Sequence, residues 1–263
     1  MNYALITGGS SGIGLEYARQ MASRGWNIIV VSNRKDDNIR VANDLSAQYG
    51  VVAEPLYADL TEADAAEKIF GYTQERGIKV DVLINNAGML LFSQLVNTPT
   101  QQLERIVALH CTTPTKLCQL FAKDMAERGG GRIVIMSSIT AWTPYPTISH
   151  YAATKAYLHS FAQSLWYEMR GRGVSVTTVY PSAVDTPFYD LSDKMRRRLL
   201  SCGVMMSAES VARKALKATF AGRRRCIPGL LTKLEAAICY LLPAWALLPI
   251  LKIPAVKRIL ERI

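Results

Sequence analysis

The chain has 263 residues, of which 49% are hydrophobic and 20% are charged. This composition excludes a disordered protein and fits one α/β domain with a sizeable core. The net charge of +10 is unevenly spread, because residues 1–193 carry a balance of −2 and residues 194–263 a balance of +12. Five scattered cysteines favour reduced thiols over a disulfide framework, and three histidines offer no metal-ligand spacing. The basic C-terminal part predicts an anionic partner.

Short apolar runs alternate with longer amphipathic segments, which predicts βα units around a parallel sheet. The opening residues read as a first strand and not as a signal peptide. Thr61 is expected to cap the third helix, and glycines 129–131 to end the fourth. The predicted strands are 2–7, 27–32, 51–57, 80–84, 131–136 and 174–179, and the predicted helices are 12–24, 38–49, 62–76, 100–128 and 150–171.

The alternation stops at about residue 186. Residues 186–205, which include three consecutive arginines, are predicted to be a mobile segment over the carboxyl edge of the sheet. A helix over 207–221 begins after Ser207, and residues 227–229 predict a short last strand and turn. The chain thus divides into a core over 1–190, a substrate lid with the last strand over 191–229, and a tail over 230–263.

The tail contains a long uncharged stretch. Residues 236–251 have no charged side chain and are interrupted by Pro243 and Pro249. Because a spanning helix needs about 20 apolar residues, attachment to a membrane surface is favoured over a full span. Four cations follow the stretch and suit anionic lipid: Lys252, Lys257, Arg258 and Arg262. The alternative is an apolar lid or an oligomer contact.

A glycine-rich turn joins the first strand to the first helix, with the sequence Thr7-Gly8-Gly9-Ser10-Ser11-Gly12-Ile13-Gly14. Glycines let the backbone approach a pyrophosphate, and a helix N-terminus favours negative charge. The position between a strand and a helix favours cofactor binding over a plain tight turn.

Tyr151 and Lys155 are spaced to lie one helical turn apart. A neighbouring ammonium stabilises a phenolate, so this tyrosine could exchange a proton with a carbonyl or alcohol oxygen. A serine hydroxyl, supplied by Ser138, could hydrogen-bond the same oxygen. The spacing alone also fits an ordinary solvated helix face.

Four motifs occur in one order: Gly8-x-x-x-Gly12-x-Gly14, Asn85-Asn86-Ala87-Gly88, Ser138 and Tyr151-x-x-x-Lys155. Over about residues 2–190 they resemble the short-chain dehydrogenase/reductase family, and the whole is similar to its ketoacyl, ketosphinganine and hydroxysteroid reductase branch. The resemblance implies a Rossmann-type, doubly wound parallel sheet of about seven strands. It also implies a nicotinamide cofactor and a homodimer or homotetramer.

The resemblance implies residue roles as well. Ser138 would orient the substrate oxygen, Tyr151 would act as acid and base, and Lys155 would bind the nicotinamide ribose. Asp59 with Leu60 resembles the family's adenine contact, and Pro181 with Thr186 resembles the stretch that fixes the carboxamide. The other implied cofactor contacts are Gly8, Ser10, Ser11, Gly12, Ile13, Gly14, Asn85, Ala87, Gly88 and Tyr151.

Two positions depart from the family's pattern. His110 stands where many members have an asparagine that anchors a water chain to the lysine. It either supports a proton relay or is a polar helix residue without a catalytic part. Ser182 replaces the glycine that usually follows Pro181, which makes the geometry of that loop less predictable.

The end of the second strand bears on the choice of cofactor. An acidic residue there would hold a ribose 2′-hydroxyl, but this chain has Ser32, Asn33 and Arg34. A hydroxyl, an amide and a cation suit a 2′-phosphate, so NADP(H) is favoured over NAD(H). A solvated turn without discrimination is the alternative, because Asp36 and Asp37 follow.

Together these features predict an NADP(H)-dependent oxidoreductase that reduces a ketone, or oxidises the secondary alcohol, of a hydrophobic substrate. A long-chain 3-keto lipid, such as 3-ketosphinganine or a 3-ketoacyl group, is the leading substrate, and a hydroxysteroid is the alternative. A non-catalytic nucleotide-sensing interaction protein is the alternative from another class. The aliphatic, basic tail argues against nucleic-acid binding. The expected location is cytoplasmic, with peripheral contact at the inner face of a membrane.

Overall fold

The computed structural model describes residues 2–90, 92–142, 148–188 and 192–241. The predicted α/β class is confirmed. The strands are β1 (Tyr3–Thr7), β2 (Asn27–Ser32), β3 (Ala53–Tyr57), β4 (Val80–Asn85), β5 (Gly131–Met136), β6 (Val174–Val179), β7 (Val184–Asp185), β8 (Met206–Ser207) and β9 (Arg225–Cys226). The helices are α1 (Gly12–Ala22), α2 (Lys35–Tyr49), α3 (Ala65–Glu75), α4 (Thr100–Val107), α5 (Thr113–Glu127), α6 (Ser149–Met169), α7 (Asp193–Ser201), α8 (Ala208–Phe220) and α9 (Leu230–Leu241).

The main sheet has seven strands in the order β3-β2-β1-β4-β5-β6-β9, as the resemblance implied. Neighbouring strands pair in parallel, so their carboxyl ends meet at one edge. The chain winds outward in one direction from β1 to β3 and in the other from β4 to β9. Loops from the two halves therefore separate at the carboxyl ends of β1 and β4, which is where a doubly wound sheet forms a crevice.

Both faces of the sheet are covered by helices, which explains why the central strands β1, β2, β4 and β5 are mostly apolar. Side chains of β1 alternate between two cores, with Ala4 and Ile6 on one face and Leu5 on the other. Residues of α1, α2 and α8 contribute to the first core, and residues of α3, α5 and α6 to the second.

Two local predictions are wrong. Thr61 does not cap α3, which begins at Ala65, because its backbone N–H and hydroxyl both donate to Asp59 Oδ1. The last strand lies at Arg225–Cys226, before the residues predicted for it. In the segment 186–205, predicted to be mobile, residues Asp193–Ser201 form the helix α7, which Ser192 caps by accepting the Met195 N–H. The cap at Ser207 and the end of α5 at Gly129 are confirmed.

The predicted tail is described as far as Leu241 and begins as the helix α9. Residues 242–263, with the predicted cations and both prolines, lie outside the described residues. In the part of the chain that is described, no helix combines the length and the apolarity needed to cross a membrane. The same residues hold no cluster of three potential metal ligands. Cys111, Cys118, Cys202 and Cys226 are free thiols.

Candidate functional site

A cleft opens at the carboxyl edge of the sheet, between the loops that follow β1 and β4. Many of the predicted site residues meet there although they are far apart in the chain. Those that line it are Gly8, Ser11, Gly12, Ile13, Arg34, Ala87, Gly88, Tyr151, Lys155, Pro181 and Thr186. The cleft is also lined by residues for which the sequence predicted no contact: Asn86, Met89, Leu90, Met136, Ser137, Ser182, Val184, Pro187 and Phe188.

The glycine turn brings the start of α1 against β1 and the cleft. Gly12 has φ of +53°, a conformation that costs glycine little, and its Cα faces Thr186. Gly14 packs directly on the loop, since a Cβ placed on it would lie 2.0 Å from the Gly8 carbonyl oxygen. Ser11 precedes α1 without capping it through its side chain. The helix N-terminus is thus available to an anionic ligand such as a pyrophosphate.

The loop after β4 is anchored by Thr7, a residue that the sequence analysis did not select. Its hydroxyl accepts the backbone N–H groups of Asn86 and Ala87, each at 3.0 Å, and donates to the Ile84 carbonyl. Asn86 Nδ2 in turn donates to the Thr7 carbonyl. Asn85, predicted to line the cleft, instead turns into the core, where its Nδ2 lies 3.2 Å from Cys118 Sγ.

At the end of β2, Ser32 has a structural role. Its buried hydroxyl accepts from Ser10 Oγ at 3.0 Å and donates to Asn38 Oδ1. Asn38 Nδ2 holds the carbonyls of Ser32 and Leu56, so this asparagine ties β2 to β3. Arg34 is the residue of this turn that lines the cleft, while Asn33 is exposed beside it.

Asp59 and Leu60 do not line the cleft. Burial alone would raise the pKa of Asp59, but two hydrogen bonds from Thr61 and the charge of Arg105 hold it below its ordinary value. Leu60 is buried, and its carbonyl accepts the Thr113 hydroxyl at 2.7 Å. In this structure both residues stabilise the connection between β3 and α3.

Lys155 is buried beside Tyr151 on α6. Its Nζ donates to the Met136 carbonyl at 2.9 Å and lies 5.5 Å from the centre of the Tyr151 ring. Ser137 Oγ donates to the Lys155 carbonyl, which fastens α6 to the end of β5. Ser138 follows, and its hydroxyl accepts the Thr140 N–H at 3.2 Å. The end of β5 therefore holds the lysine and the serine within one short stretch.

Burial lowers the pKa of Lys155 to about 8, against the weaker, opposite effect of Cys111. In the unfolded chain the pKa returns to its ordinary value, so between about pH 8 and 10.4 the unfolded state binds more protons. The free energy of unfolding should therefore rise through this window because of Lys155. The Lys155→Met variant should lack this contribution, which amounts to about 3 kcal/mol at about 1.4 kcal/mol per pKa unit.

Urea unfolding of both proteins across this pH window measures the contribution, since groups common to both cancel in the difference. The wild type should gain stability relative to Lys155→Met as the pH rises. A difference that stays constant would show that Lys155 is not perturbed by burial.

His110 lies in a π-helical turn, Ala108–Thr112, between α4 and α5. Burial, followed by the charges of Lys155 and His150, holds the pKa of His110 well below its ordinary value, so its ring is neutral at pH 7. Nε2 accepts the Met89 N–H at 3.0 Å, which places the proton on Nδ1, and Nδ1 donates to Thr154 Oγ1 at 2.9 Å. The ring also contacts Tyr151 edge to face, 5.6 Å between centres.

The loop after β6 closes the cleft over the glycine turn. The Pro181 carbonyl accepts the Ile139 N–H, which joins this loop to the residue after Ser138. Thr186 is buried, and its hydroxyl lies 3.3 Å from the Val184 carbonyl. Arg196 of α7 forms an ion pair with Asp185, so the segment after the loop is held to it.

Residues 2–197 match the model of the short chain dehydrogenase family. The chain belongs to this family. Human 17-beta-hydroxysteroid dehydrogenase type 3 is 29% identical over 250 residues, which cover 93% of this chain and 76% of that protein. The very-long-chain 3-oxoacyl-CoA reductase of Rattus norvegicus is 30% identical over 251 residues, 92% of this chain and 76% of that protein.

A solved short-chain dehydrogenase from Sphingobium yanoikuyae, in complex with NADPH, has a TM-score of 0.79 and 30% identity. The alignment covers 90% of this chain and 92% of that one. As a short-chain dehydrogenase similar to these proteins, the chain is an oxidoreductase that acts on CH–OH and C=O groups.

Proposed function

We propose that this short-chain dehydrogenase is an NADP(H)-dependent enzyme that reduces the ketone, or oxidises the secondary alcohol, of a hydrophobic substrate. The observation that carries the proposal is the buried Lys155 ammonium beside the Tyr151 ring, in a cleft at the switch point of the sheet. A charged group held in the interior at the cost of its hydration is more typical of a functional site than of a solvated helix face.

In the proposed mechanism Tyr151 exchanges a proton with the substrate oxygen. The Lys155 ammonium stabilises the phenolate left when Tyr151 gives its proton away, and the Met136 carbonyl fixes that ammonium in place. The Ser138 hydroxyl, held by the Thr140 N–H, donates to the same substrate oxygen and steadies it. A bound nicotinamide would supply or accept the hydride.

The residues that line the cleft support a dinucleotide. The backbone at Gly12 and the start of α1, which Gly14 lets pack closely on the loop, suit the pyrophosphate, and Ala87 and Gly88 line the same cleft. Lys155 is proposed to contact the nicotinamide ribose, and Pro181 and Thr186 the carboxamide. Ser10, Ser32 and Asn33 shape the turn at the adenosine end, and Asp59, Leu60 and Asn85 act on the cofactor only by supporting the adjoining loops.

Arg34 is proposed to select NADP(H), because it lines the cleft and its guanidinium is 3.8 Å from the exposed Asp37 carboxylate, too far for a hydrogen bond. The Arg34→Ala variant should raise the KM for NADPH about 10- to 100-fold, the value of a charged hydrogen bond, and leave the KM for NADH unchanged. Initial rates with both cofactors measure this. Arg40→Ala, at an exposed arginine on the outer side of α2, is the control. Equal losses with both cofactors would contradict the selection.

His110 is proposed to act at the site, and its hydrogen bonds favour a positioning role over a proton relay. It joins the Met89 backbone to Thr154 and so holds one wall of the cleft against α6. His110→Asn can keep an acceptor for the Met89 N–H, whereas His110→Ala cannot. We expect His110→Ala to lower kcat/KM about tenfold, with His110→Asn retaining most activity.

The pH profile of kcat distinguishes a proton relay through His110 from a positioning role. If His110 relays protons, His110→Ala should lower kcat and shift its pH profile, whereas a positioning role predicts a lower kcat/KM without a shift of the profile. Unchanged kcat/KM and an unchanged pH profile in His110→Ala would exclude both roles.

The proposed substrate is hydrophobic because Met89, Leu90 and Phe188 line the cleft near Tyr151. A long-chain 3-keto lipid, such as 3-ketosphinganine or a 3-ketoacyl thioester, is the leading candidate, which the similarity to 3-oxoacyl-CoA reductases supports. A keto-steroid is second, supported by the similarity to 17-beta-hydroxysteroid dehydrogenases. NADPH oxidation with both substrate classes tests this, and activity confined to small polar ketones would contradict it.

The alternative from another class, a nucleotide-sensing interaction protein without turnover, is favoured by no observation among the described residues. Stoichiometric NADPH binding without oxidation across the ketone panel would favour it. Further parts of the proposal are a homodimer or homotetramer, a cytoplasmic location, and peripheral membrane contact through residues 230–263. We also propose that the chain divides into a core over 1–190, a substrate lid with the last strand over 191–229, and a tail over 230–263 that begins with α9.

A further inference from the structure

The helix α9 carries its large apolar side chains outward. At about 3.6 residues per turn they form one stripe about 100° wide. Its members are 84%, 45%, 58%, 44% and 77% exposed: Leu230, Leu231, Leu234, Ile238 and Leu241. Among the α9 side chains that the structure describes, the buried ones are the small Thr232 and Ala236. Because an amphipathic helix normally turns such a stripe towards the core, this one is built to meet an external apolar phase.

A basic groove adjoins the first turns of α9. It lies between α8, β9 and α9 and has a volume of about 540 Å³, enough for a polar group of several atoms. Five cations line it: Lys214, Lys217, Arg223, Arg225 and Lys233. The ion pairs found among the described residues include none of the five.

The charge around the groove indicates what kind of partner fits. Residues 208–241 contain seven basic and two acidic side chains, a balance of +5. A symmetric contact with a second copy would bring two such surfaces together, and like charges would oppose it. Residues 242–263 contain four basic and one acidic side chain, so this segment also cannot neutralise the groove. The stripe and the groove together therefore match an anionic surface with an apolar interior.

We propose that α9 and the basic groove form one membrane-binding surface for anionic phospholipid. The lipid phosphates would occupy the groove, and the stripe of α9 would enter the interface. The proposal deepens the membrane contact suggested for residues 230–263 and does not depend on the catalytic proposal.

The same surface is joined to the candidate site. Ala236 of α9 packs in a small core with Ile139 and Tyr180. Ile139 directly follows Ser138, and Tyr180 directly precedes Pro181 in the chain. Membrane contact would thus lie at the carboxyl edge of the sheet, where the cleft opens, and a lipid-borne ketone would arrive on that side.

Vesicle sedimentation of the full chain tests the surface, with phosphatidylcholine vesicles and with vesicles that also contain phosphatidylserine. The wild type should bind the anionic vesicles more tightly. Lys214→Gln/Lys217→Gln/Lys233→Gln should weaken that binding about 100-fold, at roughly fivefold for each cation removed. Leu230→Ser/Leu234→Ser should weaken binding to both kinds of vesicle.

The matched control is Lys79→Gln/Lys123→Gln/Arg172→Gln, which removes three exposed cations outside the groove and should bind like the wild type. Reduction of a small soluble ketone is expected to be unchanged in every variant, so a loss of vesicle binding cannot be confused with failure of the catalytic proposal. Equal binding to neutral and anionic vesicles, or equal loss in the control, would overturn the proposal. A change of oligomeric mass in Leu230→Ser/Leu234→Ser, with vesicle binding intact, would assign the stripe to a second copy instead.

Discussion

Replacement of Tyr151 by phenylalanine is expected to lower kcat about 10²- to 10⁴-fold, the contribution of a positioned general acid or base. The change removes only the hydroxyl, so the ring can keep its edge-to-face contact with His110. NADPH binding should change little, because the glycine turn and Arg34 are untouched. Single-turnover rates and NADPH titration measure the two effects separately.

Tyr157→Phe is the matched control, because Tyr157 lies on the same helix. It is 43% exposed, and its hydroxyl contacts Thr115 at 2.9 Å, away from the cleft. We expect this variant to retain wild-type turnover. Full activity of Tyr151→Phe would exclude Tyr151 as the proton donor.

Replacement of Gly14 by alanine is expected to lower the free energy of unfolding by about 3 kcal/mol and to weaken NADPH binding. The added Cβ would stand 2.0 Å from the Gly8 carbonyl oxygen and 2.6 Å from Asn86 Nδ2. Because the nearest obstacle is backbone, the start of α1 must move away from the loop after β1. That movement would disturb the part of the cleft proposed for the pyrophosphate.

Gly71→Ala, also in a helix, is expected to change the free energy of unfolding in the opposite direction. Gly71 lies within α3, and no atom comes within 4 Å of a Cβ placed there. Alanine should therefore stabilise the protein by about 0.5–1 kcal/mol through helix propensity alone. Thermal unfolding and NADPH titration of both variants test the pair. Similar small effects at the two positions would show that the α1 contact is not close.

The candidate site was predictable where a residue's neighbours in sequence define its surroundings. The glycine turn lies between a strand and a helix, and Tyr151 and Lys155 share one face of α6, both as local periodicity indicates. Residues at strand ends were harder. Asn85 ends β4 and turns into the core, whereas Asn86 lines the cleft, because successive side chains of a strand point to opposite sides.

The part played by a polar side chain also depended on distant partners. Ser32 resembled a phosphate contact, but Ser10 and Asn38 occupy its hydroxyl, which leaves Arg34 as the residue of this turn that lines the cleft. Thr7 was not selected, although it holds the loop that follows β4. The sequence around a threonine at a strand end does not indicate such hydrogen bonds, because they form only once the neighbouring strand is paired beside it.

The sequence by itself determined the alternation of strands and helices as far as β6, the family, and the positions of the chemical groups, because apolar periodicity and turn chemistry are properties of short segments. Only the tertiary structure decided that Lys155 is buried against Met136, that His110 bonds to Met89 and Thr154, and that α9 presents its leucines outward. These properties depend on which surfaces cover a side chain. The covering residues come from elements that are distant in the chain and adjacent only after folding.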